Sequence, residues 1–306
     1  MYLDSAPEAI STEVFSTAPD EIRRGPGRTA SFLEGPSFDV QGNLYCVDIP
    51  HGRILRISPD GRWHVAAEYD GHPNGLKIHR DGRIFIADRR NGLVVLDPSS
   101  GDIRTILSGP GGQERFMGLN DLVFAADGDL YFTDQGKSGL QDPCGRVYRY
   151  SPQNDRLECL IANVPSPNGL VFNVRETALF VAVTRANAVW RIPLGPPTGE
   201  ATGWVPRKID AVGLFVQLPS AGPDGLALDE AGNVVVTHPT RGLVWLFSKY
   251  GVPLLRIASC AEEMTTNVAY GGADGRTLYI VESRSCSILT ARMPVAGKQM
   301  YSHSGQ

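Results

Sequence analysis

Pro167-Asn168-Gly169-Leu170 is a tight bend followed at once by an alternating apolar run, which is how a half-buried strand reads. The bend recurs along the chain. Its slot residue is Glu34 in Glu34-Gly35-Pro36, Asn74 in Pro73-Asn74-Gly75-Leu76, Asn120 in Leu119-Asn120-Asp121-Leu122, Asp224 in Pro223-Asp224-Gly225-Leu226 and Asn267 in Thr266-Asn267-Val268. All six slots carry a side-chain oxygen. Downstream of each come a strand, a Gly-containing turn such as Asp81-Gly82 or Asp127-Gly128, and a second strand such as Leu130-Tyr131-Phe132-Thr133. Successive slots are 40, 46, 48, 56 and 43 residues apart. Short strands and turn residues repeating at that period predict an all-β fold, a six-bladed β-propeller of four-stranded antiparallel blades.

The blades start near 34, 74, 120, 168, 224 and 267, and no linker interrupts the period, so residues 1–306 are expected to form one domain. The longest gap holds a Pro/Gly-rich excursion over 193–206. A ring of blades has to be closed without a long exposed edge, and a strand over 10–17 is expected to complete the sheet of the last blade. No helix of three turns is expected.

Composition narrows the partners. The chain is 42% hydrophobic and 20% charged, with 34 Gly and 22 Pro, which suits a globular protein rich in turns. A net charge of −4 without basic runs argues against nucleic acid and against acidic membranes. No apolar run approaches a membrane span, and the stretch from Met1 lacks the basic and apolar segments of a secretory signal, so a cytoplasmic protein is expected. Five cysteines without C-x-x-C spacing indicate reduced thiols, with neither a disulfide framework nor a zinc knuckle.

If each slot opens an innermost strand, that strand descends, turns at the Asp-Gly pair and returns to the same face some 14 residues on. That offset selects Asp48, Asp88, Asp134 and His238, and with one more turn residue Val183 and Glu282. The upper mouth is therefore expected to carry an inner ring of slot residues and an outer ring of largely acidic or imidazole side chains.

Six oxygen-bearing side chains aimed at one axis form a hard-donor cluster. Carboxylates crowded there repel one another unless a cation lies between them. Calcium accepts six to eight oxygens, Asn carbonyls and water included, and one divalent cation is expected, calcium before zinc, manganese or magnesium. Asn and Asp before Gly also form turns for local reasons. Six slots in register, one of them a Glu without that turn preference, favour the ion.

The segments Phe32-Leu33-Glu34-Gly35-Pro36, Leu119-Asn120-Asp121-Leu122, Ser166-Pro167-Asn168-Gly169-Leu170 and Gly222-Pro223-Asp224-Gly225-Leu226 resemble the signature positions of the senescence marker protein 30, gluconolactonase and luciferin-regenerating enzyme family. The stretch from Asn120 to Gly136 is also similar to bacterial drug-responsive lactonases. The resemblance spans nearly the whole chain. It implies a metal-dependent hydrolase of a small-molecule lactone, with a catalytic divalent ion held by Glu34, Asn120, Asn168 and Asp224. Asn74 and Asn267 then become mouth residues outside the ion's usual shell, and Asp224 the base. One position departs from the pattern: sugar-lactone members tend to carry Arg two residues before the blade-three Asn, where this chain has Gly118.

His238 and His72 are the imidazoles expected near the mouth, each as an alternative base or as part of the substrate pocket. His51, Arg89, Arg185 and Arg241 fall on upper loops, where a solvated charge is the ordinary role and substrate contact the functional one. No Gly-x-Ser-x-Gly elbow is present. Two rival readings use the same site: phosphotriester or fluorophosphate hydrolysis, and a non-catalytic calcium-binding propeller serving as an interaction platform.

Overall fold

The computed structural model describes residues 6–23, 30–195 and 206–304. Six antiparallel sheets follow one another along the chain, each with its first strand innermost. Blade one runs through Leu33–Phe38, Leu44–Asp48, Arg53–Ile57 and Trp63–Glu68. Blade three runs through Leu119–Phe124, Leu130–Asp134, Gly145–Ser151 and Arg156–Val164. Burial falls from inside to outside: the first three strands of blade one are almost wholly buried, whereas Trp63–Glu68 is mostly exposed. The second and third strands, such as Ile84–Asp88 and Gly92–Leu96, therefore read as near-continuous apolar runs.

The core lies between blades. Phe85 and Leu93 of blade two pack against Leu122, Phe132 and Tyr148 of blade three, and comparable clusters fill the other blade interfaces. Sheets that bury both faces against neighbours form a ring, as the blade period requires.

Closure differs in part from the expected single strand over 10–17. Glu13–Thr17 pairs antiparallel with Ser287–Arg292 and completes blade six. Glu8–Ser11, however, lies parallel to Pro253–Ala258 as a fifth strand of blade five. The chain changes sheets at Thr12, whose N–H donates to the Ala258 carbonyl and whose hydroxyl accepts the Cys260 N–H, both at 2.9 Å. One short segment thus covers two blade edges. At the other end, Lys298 N–H donates to the Leu228 carbonyl and Ser302 Oγ to the Phe38 carbonyl, drawing the C-terminal segment across the lower face.

Of the excursion over 193–206, residues 196–205 lie outside the described residues, as do 1–5. Helix is confined, among the described residues, to the turn Asp20–Arg23 and three 3-10 turns. No helix there is long and apolar enough to cross a membrane.

Candidate functional site

The slots sit where the inner ladders slip. Pairing between the first and second strands shifts register between Glu34 and Ser37, Pro73 and Gly75, Leu119 and Leu122, Pro167 and Leu170, and Thr265 and Asn267. Such a shift bends the strand and re-aims a side chain. In blade five Asp224 precedes the short strand Leu226–Leu228, its N–H donating to the Thr237 carbonyl at 3.3 Å. The glycine after the slot has a packing cause. A Cβ on Gly75 would lie 2.7 Å from the Asn120 carbonyl oxygen, and one on Gly169 would lie 2.5 Å from that of Asp224. At these two positions the neighbouring backbone approaches too closely for any side chain.

Blade six carries Val268 at the position after its slot, and blade three carries Asp121. Its buried carboxylate accepts the Leu122 N–H at Oδ1, 2.8 Å, and Asn267 Nδ2 at Oδ2, 3.3 Å. Gly75 of the preceding blade leaves the room, since a Cβ there would stand 2.6 Å from Asp121 Oδ1. Asp121 was not among the candidates read from sequence. The signal for it was the replacement of Gly at a position where Gly35, Gly75, Gly169 and Gly225 stand.

The two amides of the expected ligand set are oriented from behind. Asn120 Nδ2 donates to Gln135 Oε1 at 3.0 Å, and Gln135 Nε2 donates to Ser166 Oγ at 3.0 Å. Asn168 Nδ2 donates to Thr184 Oγ1 at 3.2 Å, while that hydroxyl donates to the Pro223 carbonyl at 2.8 Å. Both relays engage the amide nitrogens, and Asn168 also hydrogen-bonds the Asp224 carboxyl. Glu34 Oε2 accepts Gly35 N–H at 2.7 Å and Asn267 Nδ2 at 2.9 Å. Asn267 spends its own oxygen on the Val268 N–H, so it acts as a bracket between two carboxylates. Asn74 is buried and makes no side-chain hydrogen bond among the described residues.

Charge is concentrated here. Burial pushes the Asp224 carboxyl up to about 7, the Asp121 carboxylate adds to the rise, and a hydrogen bond from Asn168 opposes it. Glu34 is raised well above the usual carboxylate range by burial and then by Asp224, against the bonds from Asn267 and Gly35. Burial and neighbouring negative charge thus favour the protonated forms of Glu34 and Asp224. Among the described residues no group of three or more His, Cys, Asp and Glu side chains forms a metal cluster. The axial set is instead a mixture of carboxylate and amide oxygens.

The expected outer ring does not line the mouth. Asp48 is buried against Arg53 Nε at 3.1 Å and Ser31 Oγ at 2.9 Å. Asp88 accepts the N–H groups of Arg90 and Asn91, both at 2.7 Å, and Asp134 accepts those of Met117 and Gly118 at 3.1 and 2.8 Å. Glu282 accepts the Met264 N–H at 2.8 Å. These acids pin the upper loops by satisfying backbone donors that have no ladder partner. His238 is 1% exposed, with Nε2 on the Ser220 carbonyl and Nδ1 accepting Trp245 Nε1 at 3.2 Å. Both ring nitrogens are engaged, and burial lowers its pKa. It belongs to the wall of blade five.

His72 and Arg185 are exposed, the former two residues before its slot and the latter on the turn Thr184–Ala186. Gly118 occupies the same pre-slot position in blade three, with φ at +145°. An Arg here would need a different backbone path. Phe32, again two residues before its slot, is 37% exposed, as is neighbouring Met117 at 38%, and Leu140 of the blade-three upper loop is 71% exposed.

Residues 32–284 match the model of the SMP-30/gluconolactonase/LRE-like region. The lactonase drp35 of Staphylococcus aureus (strain USA300) is 30% identical over 234 residues, covering 74% of this chain and 69% of the relative. Among solved structures, a gluconolactonase from Xanthomonas campestris superposes with a TM-score of 0.74 at 22% identity, covering 95% of this chain and 96% of that one. A calcium-binding regucalcin from Agrobacterium tumefaciens gives 0.75 at 19% identity, covering 96% and 98%. At such identities the structural likenesses establish the shared propeller.

Proposed function

The chain belongs to the SMP-30/gluconolactonase/LRE-like family, and from that membership and its axial oxygen cluster we propose that it is a lactonase, a hydrolase that opens cyclic esters with the help of one divalent cation. The relative at 30% identity is a lactonase. The observation that supports the reading is the pair of relays that hold the Asn120 and Asn168 amides by their nitrogens, an arrangement that would free their oxygens for an ion shared with Glu34 and Asp224. Those four residues fit calcium by the chemistry of their donors, all hard oxygens, two of them on acids whose pKa values are raised by burial and by neighbouring carboxylates. The calcium-binding regucalcin of the same fold points to that ion. When bound, the cation supplies Lewis acidity that polarises the lactone carbonyl.

The chain's own groups do the rest. Asp224 accepts a proton from the attacking water as the water oxygen bonds to the carbonyl carbon. The ring C–O bond then breaks, and the ring oxygen leaves with that proton as the hydroxyl of a hydroxy acid. Asn267 holds Glu34 and Asp121 in place while the charge shifts. Phe32, Met117 and Leu140 provide an apolar rim, and Asn74, His72 and Arg185 the polar groups nearest an incoming ring. The whole chain, 1–306, is taken to work as one propeller.

Turnover of simple lactones by purified protein, before and after chelation and again after adding calcium, tests this reading. Loss on chelation with recovery on calcium is expected. Chelator-resistant turnover would remove the cation from the mechanism. Calcium binding without turnover of any lactone or phosphotriester would favour the non-catalytic calcium-binding propeller.

A further inference from the structure

Three residues beyond each slot the inner strands form a second ring: Ser37, Lys77, Val123, Val171, Ala227 and Tyr270. All six line an axial cavity of about 320 Å³ beneath the oxygen cluster, walled largely by apolar side chains. Lys77 is the one charged member of that ring. Its Nζ lies 3.8 Å from Asp121 Oδ1 and donates to the Leu76 carbonyl at 3.2 Å. An ammonium in such a cavity loses hydration and needs a partner. Lys298, the other lysine lining the cavity, is already paired with Glu176 at 2.9 Å. Lys77 therefore faces the axial acids from below.

We propose that Lys77 sets the charge of the axial cation site and thereby its preference for divalent ions. The inference rests on the cation reading given above. Glu34, Asp121 and Asp224 bring three carboxylates to the axis, and one Asn267 amide links the first two, at 2.9 Å from Glu34 Oε2 and 3.3 Å from Asp121 Oδ2. Lys77 offsets one of them through Asp121. The remaining charge of two matches a divalent ion, and a trivalent ion would leave an unbalanced positive charge in a low-dielectric channel. Repulsion from a fixed ammonium grows in proportion to the charge of the bound ion, so a trivalent ion is penalised half as much again as a divalent one. Lys77 touches neither substrate nor reacting atoms and is a positioning residue.

The test measures calcium affinity by calorimetry and terbium affinity by luminescence, on wild type, K77M, K77R and the double variant K77M/D121N, with folding checked by circular dichroism. K77M should tighten calcium by about tenfold and terbium by about thirtyfold, following the scaling with ionic charge. K77R should keep the wild-type ratio of the two affinities. The double variant restores a charge of two and should bring the ratio back toward wild type, which a purely structural role would not do. If K77M does not fold, Lys77→Gln carries the same expectation. An unchanged ratio in the uncharged variants, with the wild type binding calcium, overturns the inference alone. A wild type that binds neither ion overturns the cation reading and this inference together.

Discussion

Asn267 Nδ2 donates to Glu34 Oε2 at 2.9 Å, joining the last blade to the first across 233 positions of sequence. The same amide reaches Asp121 Oδ2 of blade three at 3.3 Å. One side chain thus bridges three blades and separates two acids that would otherwise meet.

Replacing Asn267 by Ala should destabilise the protein by about 1–3 kcal/mol, because buried Glu34 loses one of its two hydrogen bonds and is left partly unsatisfied. Glu34 would keep only the Gly35 N–H. Urea unfolding of the metal-free protein measures the loss. A change below half a kilocalorie would show that Asn267 fills space without holding Glu34.

Thr184→Val removes the hydroxyl that accepts from Asn168 and keeps the shape of the side chain. The amide is then free to rotate and present nitrogen to the axis. Calcium affinity should fall about 10–100-fold, as for other groups that orient metal ligands, with the fold intact. Calorimetric titration decides, and an affinity equal to wild type would dismiss the relay.

Asp224→Asn keeps an oxygen in the slot but removes the proton acceptor and one negative charge. Lactone turnover at saturating calcium should drop by at least about 10²-fold. Circular dichroism should match the wild type. Turnover near the wild-type rate would move the base to Asp121, the other carboxylate of the cluster.

The raised acids make the metal-free protein sensitive to pH in a definite direction. Asp224 titrates near 7 in the folded state, against about 3.9 in an unfolded chain. Between those values the folded state holds a proton that the unfolded state has lost, so stability falls as pH rises. The penalty is complete above pH 7 and on the order of 4 kcal/mol for this group. The melting temperature should therefore decline from pH 4 to pH 7 without calcium and flatten when calcium is saturating. A flat metal-free profile would contradict the crowding of acids at the axis.

Gly118 bears on the substrate. The missing Arg leaves the rim to Phe32, Met117 and Leu140, so aryl or alkyl lactones such as dihydrocoumarin should outperform gluconolactone in kcat/KM. Gly118→Ala should cost about 1–3 kcal/mol, because φ of +145° is strained for a residue with a Cβ. A strong preference for sugar lactones would transfer recognition to Arg89 or Arg185.

The blades were legible in the local sequence pattern alone. Asn-Gly and Asp-Gly bends at a steady period, followed by apolar strands, are local signals written within about ten residues of each slot. The strands near Leu130–Asp134 and Arg53–Ile57 could be read from them directly. Belonging to this family was legible too, because Glu34, Asn120, Asn168 and Asp224 keep both identity and spacing. Tertiary structure decided which polar groups meet. Asp48, Asp134 and Glu282 had the spacing of mouth residues, yet the unpaired N–H groups of their own upper loops drew the carboxylates inward. Asp121 and Lys77 lie 44 positions apart on different blades and carry no shared motif. They meet because the register shifts at the slots turn the inner strands toward one axis and Gly75 lets the two backbones close in. Contacts across that axis depend on ring closure, which strand-by-strand patterning does not encode.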